Sequence, residues 1–180
     1  RVERVGLLGQ ARRWWKLRHR PHAARRLPRM QASTAPVIMV AVDTTHPDDE
    51  RHPFLQGATK QILSLSGEFR VVCVSVVRAG PDVQDTGPAG PHFEHLVRLR
   101  HWVEPLRLPA ARLSLHVIEA ANPAQALIDY ARSNHVDLIV VGAPGNAQAM
   151  AWWRSVASGV TANAHCSVHV VRVPERAEAP

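Results

Sequence analysis

Three clusters in this chain of 180 residues have types and spacings suited to chemistry. Gly142 and Gly145 close the apolar run Leu138 to Val141, with Val136 ahead of Asp137, and precede a segment with Trp153, Val156, Val160 and Ala164 on one helical face. A strand, a glycine turn and a helix present backbone N–H groups to an anion, and glycine allows the backbone a positive φ or a close approach to the ligand. Asp43, Thr44 and Thr45 directly follow the apolar run Val37 to Val42, at the place where open parallel sheets bind ligands. Asp43 there fits a ligand contact or an N-cap or turn aspartate equally well. The stretch His46 to His52 gathers two imidazoles and three carboxylates. Its spacing matches no standard metal-ligand pattern, and acids entering a helix are expected from the dipole, so no metal site is predicted.

The elements that must position these residues follow from apolar periodicity. Val37 to Val42 and Val71 to Val77 are short, nearly all-apolar runs of strand type, covered on both faces. Between them, Phe54, Leu55, Ala58, Ile62 and Leu65 predict one buried helical stripe ending near Gly67. Residues 79 to 91 are rich in Pro and Gly and form a loop. A helix from about His92 to Leu106 carries Phe93, Leu96, Val97, Leu99, Val103 and Leu106; His92, His95 and His101 share no face with a carboxylate partner and read as surface histidines. Leu113 to Val117 alternates as an edge strand does. Asn122 and Pro123 cap and open a helix through Leu127, Ile128 and Ala131 to Asn134, and Val168 to Val173 is a last strand too apolar to leave bare. Five strands alternating with four helices predict an α/β fold, an open parallel sheet with right-handed crossovers and helices on both faces.

Charge divides the chain differently. The formal net charge is +7, but ten basic residues precede residue 30 against the single acid Glu3, which leaves the rest at about −2. The folded part therefore lacks the electrostatic footprint of a nucleic-acid binder. Residues 1–35 read as a basic leader and linker. Val2, Val5, Leu8, Ala11 and Trp15 lie at helical spacing, which fits a solvated connector or, less well, contact with an anionic membrane surface. Residues 36–174 form the domain and 175–180 a tail. Cys73 and Cys166 both fall in predicted strands and read as buried thiols, as expected in a reducing cytoplasm. No apolar run is long enough to span a membrane, and Arg12-Arg13 lacks the hydrophobic stretch of an export signal. The chain begins with Arg rather than Met, so we expect a processed chain or a piece of a longer one.

Gly142-x2-Gly145, then Ser155-Val156 and the strand Cys166 to Arg172, resemble the C-terminal half of a universal stress protein domain, whose pattern is G-x2-G-x9-G-[ST] and a CPVLVVR-like strand. The likeness spans about residues 36 to 173. It departs at two points: eight residues rather than nine follow Gly145, and Arg154 stands where the family has glycine. The resemblance implies strand order 3-2-1-4-5, with Asp43 and the glycine loop facing one crevice. It implies ATP, with or without Mg, as the ligand. Asp43, Thr44, Thr45, Gly142, Ala143, Gly145, Arg154, Ser155 and Val156 would line the site, and Val76 would offer its backbone to the adenine. It also implies a homodimer through Val168, Val170 and Val173.

HLVRLRHWVEPL, ALIDYARSNHVDLIVVGA and CSVHVVRV further resemble the stress-protein domain that follows bacterial eukaryotic-like serine/threonine kinases, which implies a kinase domain in the same chain. No kinase signature lies in this segment, nor an SGGxDS, HIGH or G-x-S-x-G motif. The expectation is a non-catalytic, cytoplasmic adenine-nucleotide-binding regulatory module. The alternative is a homodimerisation module with a degenerate pocket.

Overall fold

A computed structural model describes residues 35–46, 51–77, 90–143 and 151–172, with the backbone alone for 90, 91 and 151–155. The expected leader helix, most of the His46 to His52 cluster, nearly all of the Pro/Gly loop, Gly145 and Val173 lie outside the described residues. The elements are β1 (Val37–Ala41), α1 (Arg51–Leu65), β2 (Arg70–Val77), α2 (Gly90–Val103), β3 (Leu113–Glu119), α3 (Pro123–Ser133), β4 (Leu138–Ala143), α4 (Ala151–Asn163) and β5 (Ser167–Arg172). All four strand pairings are parallel, and the sheet order is β3-β2-β1-β4-β5, as the sequence resemblance implied.

β1 is buried throughout because it is paired on both edges and covered on both faces. Alternation sends Ile38, Val40 and Val42 to one face, where they meet Leu55 and Leu63 of α1 and Leu99, Trp102 and Val103 of α2. Met39 and Ala41 point to the other, which α3 and α4 cover with Leu127, Ile128, Val156 and Val160. At its amino end, the Asp137 carboxylate accepts from Val37 N at 2.8 Å. The Asp137 N–H donates to Val37 O at 2.9 Å, and Ser167 N donates to Asp137 O at 3.3 Å. One residue thus joins the starts of β1, β4 and β5, satisfying backbone groups that have no ladder partner there.

Two helical stripes differ from expectation. In α1 the core-facing residues are Leu55, Thr59 and Leu63, whereas Phe54 is exposed and Leu65 is 83% exposed. Thr59 occupies the core face because its hydroxyl donates to Leu55 O at 2.7 Å, which removes the penalty of burying it. In α2, Phe93, Leu96 and Val97 are exposed, and Leu99, Trp102 and Val103 carry the burial. That helix ends at Val103 rather than Leu106. Pro105 lacks the N–H an α-helix needs, so Glu104–Leu106 tightens into a 3-10 turn closed by Arg107 at φ 50.

α3 is built as its sequence predicts, with Asn122 accepting from Gln125 N at 3.2 Å and Pro123 at its first position. β3 is an edge, half-buried along most of its length. Both cysteines are free. Cys73 is buried, and burial pushes its thiol up to about 12, where it is inert. Cys166, expected in the last strand, sits one residue ahead of it and is only half-buried. Among the described residues, no helix is long and apolar enough to cross a membrane.

α3 and α4 approach closely at Gly159, where an added Cβ would lie 2.9 Å from Ala124 Cβ. Ala124 Cβ is fixed to backbone and cannot swing aside. Gly159→Val should therefore destabilise the domain by about 2–3 kcal/mol in urea unfolding, with part of the loss recovered by Ala124→Gly.

Candidate functional site

The carboxyl end of β1 carries the polar residues that the sequence singled out, and the fold decides what surrounds them. Ala41 pairs with Val74 on one side and Val141 on the other, so Asp43 and Thr44 emerge between β2 and β4, at the point where the strand order reverses. Gly142 and Ala143 end β4 at the same level. A Cβ at Gly142 would meet nothing within 4 Å, so this side of the crevice is open among the described residues.

Asp43 is only 6% exposed. Its Oδ1 accepts from Thr45 N at 2.9 Å and from the Thr45 hydroxyl, a turn built within the strand end itself. Its Oδ2 lies 3.1 Å from His46 Nδ1 and 3.6 Å from an Arg51 guanidinium nitrogen. The backbone carbonyls beyond β1 also find partners: His52 Nε2 donates to Asp43 O at 2.9 Å from α1, and Arg98 donates to Thr44 O at 2.9 Å from α2. Arg98 is held in turn by Glu94, one helical turn earlier. Helices from one face of the sheet thus pin the end of the central strand from two directions.

Beneath Asp43 lies a chain of hydroxyls. Thr44 Oγ1 stands 2.7 Å from Ser75 Oγ and 2.8 Å from His95 Nδ1. His95, expected at the surface, is instead half-buried and is the hydrogen-bond partner of Thr44. The correction has a physical cause. Thr44 and Ser75 are 2% and 0% exposed, and their hydroxyls could not stay buried without partners. His92 and His101 are exposed as expected, but both face carboxylates, Glu119 at 3.3 Å and Glu104 at 3.5 Å. A hydroxyl beside an imidazole can form a nucleophile, yet Thr44 and Ser75 are closed to any substrate, so this chain ties α2 to the sheet.

Of the other residues marked by the sequence, Thr45 is exposed at the crevice rim and Val76 is buried in β2 opposite Ile118. Val156 is buried within α4. Arg154 and Ser155 fall in α4, where the backbone alone is described. The sequence reading missed Ser75, His95, Arg98, Arg51 and His52 as parts of this site. Ser75 had a signal, being the one hydroxyl in the otherwise apolar strand VVCVSVV, which must find a partner when buried. Arg51 and His52 lie in the stretch His46 to His52 that the sequence had marked for other chemistry, and His95 and Arg98 had no signal, because only the fold brings α2 to this strand end.

Among the described residues, no three His, Cys, Asp or Glu side chains form a metal site. An acceptor-only carboxylate with Arg51 and Arg98 close to it, and the space that the described residues leave open over Gly142, suit a ligand that carries both N–H or O–H donors and negative charge.

Comparison with known proteins agrees with this architecture. The model of the universal stress protein family matches residues 35–172. A solved universal stress protein in complex with cAMP is 17% identical, with 77% of this chain and 98% of that chain covered at a TM-score of 0.53. The universal stress protein from Archaeoglobus fulgidus is 18% identical over 77% and 99% of the two chains, at a TM-score of 0.52. UspA from Lactobacillus plantarum is 21% identical over 78% and 99%, at 0.50. At these identities the likeness to the solved structures is one of fold. No curated protein matches the chain.

The half-buried His95 makes stability depend on pH. Burial first, and then the charge of Arg98, hold the His95 imidazole below its ordinary 6.5, against a smaller opposing effect of Glu94. The unfolded chain therefore takes up the proton more readily as pH falls through 6.5, and the native state loses stability there; well above 6.5 both forms are neutral and the effect vanishes. His95→Gln should lose less melting temperature than wild type between about pH 8 and about pH 5. Equal losses would remove His95 as the titrating group.

Proposed function

The chain belongs to the universal stress protein family, and from that premise we propose that it is a non-catalytic module that binds an adenine nucleotide and acts in regulation of a stress response. The observation that carries this reading is the buried Asp43 carboxylate at the switch point of the sheet, beside the space that the described residues leave open over Gly142. A carboxylate there accepts hydrogen bonds from an adenine amine or a ribose hydroxyl, while the arginines and the glycine turn favour phosphate. The complex of a universal stress protein of the same fold with cAMP supports the nucleotide class. Resemblance to stress-protein domains that follow serine/threonine kinases supports a regulatory role beside a kinase domain in the same chain. The two free thiols fit a reducing cytoplasm.

ATP and cAMP should each give binding heat in calorimetry. Asp43→Ala should weaken binding at least about tenfold, as expected for loss of a charged hydrogen-bond acceptor. No heat and no thermal shift with millimolar nucleotide would reject this reading.

A second reading rests on β5. Val168, Val170 and Val171 are half-buried, while Ser167, His169 and Arg172 are exposed, and β4 is the strand it pairs with among the described residues. An apolar edge strand invites pairing, and we propose that a second copy of the chain covers it. Light scattering should report a dimer at micromolar concentration and a shift toward monomer in Val170→Asp. A wild-type monomer would dismiss the dimer.

A further inference from the structure

Asp43 is the acceptor offered to a ligand, yet both of its oxygens are already engaged. A carboxylate has about four lone-pair sites. Oδ1 receives Thr45 N and the Thr45 hydroxyl; Oδ2 faces His46 and Arg51. A ligand donor that approaches this carboxylate therefore competes with groups already held there.

The geometry identifies which group leaves. The two Thr45 contacts belong to a tight turn two residues on and are fixed by the backbone. Arg51 is held on α1, its side chain is only 16% exposed, and at 3.6 Å it acts as a counter-ion rather than as a hydrogen-bond donor. His46 has a side chain 47% exposed, the most open of the named groups on Oδ2. Its tautomer follows from its neighbours. The Thr45 hydroxyl proton is committed to Asp43 Oδ1, so the Thr45 oxygen, 2.9 Å from His46 Nδ1, must accept. Nδ1 therefore carries a proton and shares it between Thr45 and Asp43 Oδ2. An N–H donor on this carboxylate is what the exocyclic amine of adenine would also present.

We propose that His46 is an internal stand-in for the ligand: its imidazole occupies Asp43 Oδ2 in the empty site, and nucleotide binds by displacing it while Arg51 stays as the counter-ion. This rests on the nucleotide reading above and adds to it the residue that sets affinity. His46 thereby lowers affinity without blocking the crevice.

The test is calorimetric titration of ATP into wild type, His46→Ala and Asp43→Asn, together with a double-mutant cycle of the two substitutions in urea unfolding. We expect His46→Ala to bind ATP about three- to tenfold tighter than wild type and Asp43→Asn to bind more weakly, with non-additive effects on stability. ATP affinity in His46→Ala equal to or below that of wild type overturns the competition alone. Additive stabilities also overturn it, because they show that the contact does not hold in solution. Absence of ATP binding in every variant overturns the nucleotide reading, and the competition with it.

Discussion

Complete burial of one short strand governs this domain. β1 has neighbours on both edges and helices over both faces, so every backbone group at its ends must find a partner inside the protein. At the amino end Asp137 supplies it, reaching across from the start of β4. At the carboxyl end the task falls to His52 and Arg98, side chains of two different helices. The strand end that presents Asp43 is consequently rigid, and a fixed acceptor loses less entropy on binding than a mobile one.

The polar layer under the crevice follows from the same constraint. Thr44 and Ser75 occupy core-facing positions at the end of the sheet, and His95 satisfies them from α2. Polar groups in such a network fix geometry more than they add stability, since each hydroxyl is costly only when it lacks a partner. The network links the position of α2 to the residues beside Asp43, and through Arg98 it does so twice. The Asp43, His46 and Arg51 cluster above it is of a different kind: it lies at the crevice, and His46 is the exposed member able to move away.

Much of the fold was legible in the residues alone. Apolar runs such as VIMVA and VVCVSVV are too short for helices and too uniformly apolar for a strand with one wet face, so their central place in a parallel sheet is a local consequence of composition. Asn122 and Pro123 announce α3 because capping and a missing N–H act within a single turn. Asp43, Thr44 and Gly142 could be singled out because the end of a central strand is itself a location. Likeness to a family, rather than periodicity, supplied the strand order.

Tertiary structure alone decided the rest. Periodicity shows that α1 and α2 are helices, but overlapping apolar stripes leave their rotation open; the sheet chose Leu55, Thr59 and Leu63 over Phe54 and Leu65. The partners of the site come from outside the sequence neighbourhood of β1: Ser75 lies 31 residues from Thr44, His95 51 and Arg98 54. No local rule links a surface-patterned histidine to a threonine at such distances. The pairing arises only when a parallel crossover returns α2 over the end of β1, where buried hydroxyls require a partner.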